Sequence, residues 1–165
     1  MAQEKRIVTP YDDLTYKVIG CAMAVHRKLG PDLREDSYQR DLQVHLAEAG
    51  LAFEPQKLYE VYDSLEHGSL IGYYIPDFVV EEKVVVEIKA LKGLDNSHLA
   101  QVIGYLAVSG LSVGLLINFR LRSLQYKRVL PPKKTQEHRL NRQWLFVPDW
   151  LKSEGDTTEP ERHGK

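Results

Sequence analysis

The sequence predicts an α/β domain in which α-helices flank a mixed β-sheet. Three observations carry that expectation. Two helical stretches fill the region from Leu14 to Gly50, and short apolar, β-branched segments follow between Phe53 and Ala90. A third helical stretch then separates those segments from two further strands before Pro131.

Composition bounds what such a domain can be. The chain of 165 residues has 43% hydrophobic and 27% charged side chains, which suits one soluble domain with a tail. Its apolar runs are too short to span a bilayer, so no membrane role is expected. Met1 to Arg6 leads into no secretory h-region, which points to the cytoplasm. Cys21 is the single cysteine, which excludes an internal disulfide, a Cys-rich zinc knot and a cluster held by several cysteines of one chain. Net charge is −1, so no global field draws in nucleic acid. Locally the balance differs: Arg120, Arg122, Lys127, Arg128, Lys133, Lys134, Arg139 and Arg142 face Glu137 alone. That cluster reads either as a phosphate-facing surface or as a solvated connector.

Along the chain, residues 1–8 read as a flexible lead-in, and Thr9-Pro10 with Asp12 or Asp13 signals a helix start. Leu14, Val18, Ala22, Val25 and Leu29 make a helical stripe that Gly30-Pro31 ends. His26 lies near that stripe, as a core or interface histidine making one hydrogen bond. A second helix runs from Leu33 to Ala49, with Glu35, Tyr38 and Leu42 on one side. In its first turn Glu35 also suits the helix dipole, which alone would explain it.

Phe53 to Tyr62 is expected as one strand and Leu70 to Val80 as a second, interrupted by Pro76, with Ser64–Gly68 a turn between them. Glu81-Glu82-Lys83 is a tight polar turn into the strand Val84–Ala90, giving an antiparallel hairpin. The third helix begins at Asn96 or Ser97 and ends by Gly110. Leu99, Val102, Ile103 and Leu106 form its buried face; His98, Gln101 and Tyr105 form a polar stripe whose simplest reading is an exposed face. Leu111–Phe119 and Leu124–Leu130 are the last strands, closing a domain over residues 9–130. Residues 131–152 form a basic and aromatic extension, including Trp144-Leu-Phe-Val147 and Trp150, and 153–165 a disordered tail.

Chemistry concentrates in Val84-Val-Val-Glu-Ile-Lys-Ala90. Residues two apart share a face of a strand, so Glu87 and Lys89 look out together while Val86 and Ile88 face away. Ten residues upstream of Glu87, another apolar run carries Asp77. Charges set in apolar strands need partners. Two carboxylates and a lysine from neighbouring strands suggest a metal-dependent phosphodiesterase; a half-exposed strand whose charges meet water is the bland alternative.

Asp77, then Glu87-Ile88-Lys89, then a helix with Gln101 is the layout of the PD-(D/E)xK superfamily. Leu14-Thr-Tyr-Lys-Val-Ile-Gly20, Val25-His-Arg-Lys-Leu-Gly-Pro31, Glu35 through Tyr38, and Gly114-Leu-Leu-Ile-Asn-Phe119 resemble the bacterial GxxExxY proteins of that superfamily. The naming motif expects glycine three residues before Glu35, where this chain has Asp32, a change expected to alter the turn.

The resemblance implies a restriction-endonuclease-like core and a nuclease acting on DNA or RNA. Asp77, Glu87 and the Ile88 carbonyl would hold Mg²⁺ or Mn²⁺, with Glu35 as a further acidic ligand. Lys89 would orient or help deprotonate the attacking water, and Gln101 would position Lys89, the water or a phosphate. Tyr105, Tyr38 and His26 would support the site, and Arg120, Arg122, Lys127 and Arg128 would contact nucleic acid. A catalytically inactive module of the same fold, binding nucleic acid or a protein partner, is the competing expectation. A further alternative is a subunit that self-associates or meets a partner through Trp144–Trp150.

Overall fold

The computed structural model describes residues 9–62 and 69–132. The expected lead-in, the Ser64–Gly68 turn, and the extension and tail from residue 133 onward lie outside the described residues.

Helices α1 (Asp12–Leu29) and α2 (Glu35–Glu48) come first. Strands β1 (Phe53–Pro55), β2 (Tyr59–Tyr62), β3 (Leu70–Tyr74), β4 (Phe78–Val80) and β5 (Val84–Lys89) follow. Then come α3 (Asn96–Ser109), β6 (Val113–Asn118) and β7 (Gln125–Val129). A mixed five-stranded sheet has the order β1-β4-β5-β6-β7, and β2 with β3 makes a separate two-stranded sheet. Among the described strands only β5 and β6 run parallel, which the crossover helix α3 permits.

Alternation along β5 divides the molecule into two cores. Val84, Val86 and Ile88 pack with Val18, Ala22 and Val25 of α1 and with Tyr38, Leu42 and Leu46 of α2. On the opposite face Val85 packs with Leu116, with Val102, Tyr105 and Leu106 of α3, and with Val61 and Tyr74 of the small sheet. Glu87 and Lys89 share the face of Val85, so they look toward α3.

Two expected strands each prove to be two. Phe53–Tyr62 breaks at Gln56, whose φ of 50° turns the chain out of the main sheet into β2. Leu70–Val80 breaks before Asp77, where Ile75-Pro76 carries the chain from β3 back to β4 in the main sheet. Hydrophobic alternation is the same in both sheets, so it gave no sign of the change.

Helices α1 and α3 start at the expected Asp12 and Asn96, but each is capped by the residue before. Tyr11, with φ of 56°, caps α1, and Asp12 accepts from the Thr9 backbone at 3.2 Å and from its hydroxyl. For α3 the cap is Asp95: its carboxylate accepts from Ser97 N at 2.8 Å and His98 N at 3.4 Å. His98 Nδ1 reciprocates by accepting from Asp95 N at 2.9 Å, a capping box. His98 is therefore 15% exposed and part of the cap, not an idle residue on an open face.

The Asp32 departure leaves the turn in order. Among the described non-glycine residues, positive φ occurs at Tyr11, Gln56, Glu81 and Glu82; the left-handed turn before α2 falls on Gly30, with φ of 74°. Tyr38 Oη donates to Gly30 O and accepts from Leu33 N at 3.1 Å, closing the α1–α2 connection and fixing where Glu35 begins α2.

Candidate active site

The β4–β5 hairpin pairs Phe78 with Val86 and Val80 with Val84, so Asp77 enters opposite Glu87. The turn between them is closed by Lys83 N donating to Val80 O at 2.9 Å. Two hydrogen bonds lock the carboxylates onto this frame. Ile88 N donates to Asp77 Oδ2 at 2.7 Å, and Asp77 N donates to Glu87 Oε2 at 3.3 Å. Each acid is thus held by the backbone beside the other.

Lys89 completes the group, its Nζ lying 3.8 Å from Glu87 Oε1. Asp77, Glu87 and Lys89 are 6%, 0% and 4% exposed, which removes the alternative of strand charges meeting water. Burial on this scale works against ionisation of a carboxylate. It pushes Glu87 up to about 8, although Lys89 and the hydrogen bonds from Asp77 pull the other way. The charge of Glu35 adds to the rise, which places the first turn of α2 within electrostatic reach of the site. Glu35 acts there through its charge and itself is half-buried.

From the other side α3 supplies Gln101, 2% exposed, whose Nε2 donates to Tyr105 Oη at 3.2 Å. Burial, followed by the nearby charges of Glu87 and Asp77, raises the Tyr105 phenol far above its ordinary range. Tyr105 therefore stays protonated beneath the two carboxylates. Tyr74 of β3 meets its ring edge-on at 5.6 Å. The polar stripe of α3 is thus an inner face, covered by the sheet below and the small β2–β3 sheet beside it.

Other expected residues fall around this centre. His26 Nε2 bonds Leu121 O at 2.7 Å, the one-hydrogen-bond role its position suggested. Arg120 and Arg122 are exposed on the loop after β6, at the sheet end where Lys89 also finishes. Lys127 and Arg128 are exposed on β7, but Arg128 Nε donates to Thr15 Oγ1 at 3.1 Å, so part of its capacity ties β7 to α1.

Asn118, to which the sequence pattern gives no role, ends β6 opposite Lys89 and is 0% exposed. A lone polar residue closing the apolar run Val113–Ile117 was the available signal.

Among the described residues, no three His, Cys, Asp or Glu side chains form a ready-made metal cluster. The donor set nevertheless fits a hard divalent cation: two buried carboxylates face one another, and the Ile88 carbonyl lies between Glu87 and Lys89 in the strand. A cation there would add to the positive charge of Lys89 and favour the ionised form of buried Glu87.

Fold and site together define a mixed α/β domain of nuclease type, with two acids and a lysine on one hairpin and a glutamine on the crossover helix. A model of the PD-(D/E)XK nuclease superfamily matches residues 12–129, and the chain belongs to that superfamily. No curated protein and no solved structure matches the chain. No helix among the described residues is long and apolar enough to cross a membrane.

Proposed function

We propose that this protein hydrolyses phosphodiester bonds of DNA or RNA at a site that takes Mg²⁺ or Mn²⁺. The observation that carries the proposal is the burial of Asp77, Glu87 and Lys89 on one antiparallel pair. Burying three ionisable groups is costly in a domain that does no chemistry with them.

Asp77, Glu87 and the Ile88 carbonyl would hold the ion, with Glu35 adding charge from α2. When bound, such an ion supplies Lewis acidity toward a phosphoryl oxygen and lowers the pKa of a water. Lys89 holds the attacking water on the Glu87 side and offsets negative charge developing on the phosphoryl oxygens. Gln101, braced by Tyr105, sets the approach of Lys89 or of a substrate phosphate. Arg120 and Arg122 contact the nucleic-acid backbone at the same end of the sheet. The Glu35–Tyr38 spacing supports placing the chain among the GxxExxY proteins.

Labelled single- and double-stranded DNA and RNA, incubated with Mg²⁺, Mn²⁺ or EDTA, test this. Ion-dependent strand cutting is the expected result. Equal inertness of wild type and Glu87→Ala on substrates that both still bind would instead leave a binding module.

A further inference from the structure

We propose that Asn118 is a positioning residue that sets the geometry of Lys89 and of the basic loop beside it. This rests on the nuclease reading for its consequence, but its geometry stands independently. Asn118 is Lys89's partner in the parallel β5–β6 register, so both side chains leave the sheet on the same face.

Its amide is fully used. Nδ2 donates to Leu91 O at 2.8 Å and to Gln125 Oε1 at 3.1 Å. Oδ1 accepts from Leu91 N at 2.9 Å and from Arg120 N at 3.3 Å. Leu91 lies past the end of β5, where no strand hydrogen bonds remain for it. One side-chain amide supplies both the donor and the acceptor that a strand neighbour would give. Only Asn or Gln offers that pair of functions in one plane. Leu91 opens the connection to α3 and Gln101, and Arg120 opens the loop that carries Arg122. Asn118 therefore fastens both loops to the strand end that presents Lys89.

The next residues extend the same joint. Phe119 N donates to Lys89 O at 2.9 Å. The Phe119 ring stacks on Tyr38 at 4.6 Å and 12°, and Tyr38 holds the turn that precedes Glu35. His26 then secures Leu121 O at 2.7 Å. Elements presenting Glu35, Lys89 and Gln101 thus meet at residues 118–121. Asp77 and Glu87 are held separately, by the β4–β5 hairpin.

That separation yields a split readout. Asn118→Ala should leave Mn²⁺ affinity within about threefold of wild type, while kcat falls on the order of a hundredfold and KM rises about threefold or more as the loop of Arg120 and Arg122 loosens. Two measurements need no activity: amide exchange at Leu91 and Arg120 should rise about tenfold, and acetylation of Lys89 should increase with it. All are read below the unfolding midpoint. Asn118→Ser, whose shorter hydroxyl cannot reach both groups of Leu91, replaces the alanine variant if that one does not fold. Unchanged exchange and unchanged Lys89 labelling would overturn the inference, as would looser loops with kcat intact in an active wild type. If wild type cuts nothing while exchange and labelling both rise, the positioning of Lys89 stands and the nuclease reading falls.

Discussion

Ile88 N donates to the carboxylate of Asp77 at 2.7 Å, from the strand opposite the one that Asp77 leads into. A backbone donor has no rotamer to give up, so the only side-chain entropy lost in this bond is that of Asp77 itself. It also ties Asp77 to the very residue whose carbonyl is offered as a ligand. The acid and the hairpin are one structural unit.

Metal-free protein should lose stability as pH rises. With its folded pKa pushed up to about 8, Glu87 holds a proton in the native state at pH values where the unfolded chain has released it. That contribution is complete below the unfolded value of 4.5 and is lost as pH passes through about 8. Thermal unfolding in EDTA between pH 5 and pH 9 checks this. The melting temperature should fall with pH in wild type and stay flatter in Glu87→Gln, and Mn²⁺ should restore wild type alone.

Lys89→Met separates catalysis from stability. Breaking a buried pair usually costs several kcal/mol because a charge is stranded. Here Glu87 already holds a proton at neutral pH, so removing Lys89 strands no charge and the stability loss should be only about 1 kcal/mol. Cleavage should fall by roughly 10² to 10⁴, the range of a lost acid–base or charge-stabilising group. Denaturant unfolding and single-turnover kinetics measure the two effects side by side.

Gly114→Ala should displace α3. A Cβ at that position would come within 2.5 Å of Val102 Cγ1, and a β-branched neighbour has little freedom to move aside. Overpacking of this kind costs about 1–3 kcal/mol. Because Gln101 and Tyr105 ride on the same helix, cleavage should drop as well, by more than the folded fraction explains. Activity corrected for folded protein is the measurement.

Glu82→Gly should stabilise the protein. Glu81 and Glu82 both sit at positive φ, 52° and 55°, in the turn between β4 and β5. Glu81 gains compensation, since its carboxylate accepts from Ala52 N at 2.8 Å and its own amide donates to Ala52 O at 2.8 Å. Glycine at position 82 removes the left-handed penalty at the price of unfolded-state freedom, for a net gain of about 0.5–1 kcal/mol in chemical denaturation. Metal affinity should not change.

The hairpin that bears Asp77 and Glu87 was legible because its apolar runs are short, contiguous and separated by three polar residues. Gln101 and Tyr105 were legible as a stripe but not as a buried one. Their burial comes from the β2–β3 sheet and the main sheet, and helical periodicity carries no information about what lies opposite. The split of Phe53–Tyr62 falls at Gln56 with its positive φ, directly after Pro55, and that proline was the one signal of it. Asn118 was hidden because its partner Leu91 lies 27 residues away. Sequence pattern reports local periodicity, and a clamp between loops has none.

In the proposed function Asp77 and Glu87 act together as the ion-binding pair that makes cleavage possible. Calorimetric titration of Mn²⁺ into wild type, Asp77→Asn and Glu87→Gln, with cleavage assayed on the same samples, tests it most directly. Wild type should bind the ion and cut, and each variant should lose binding by roughly tenfold or more together with cutting. Undiminished Mn²⁺ binding and cleavage in either variant would contradict the claim.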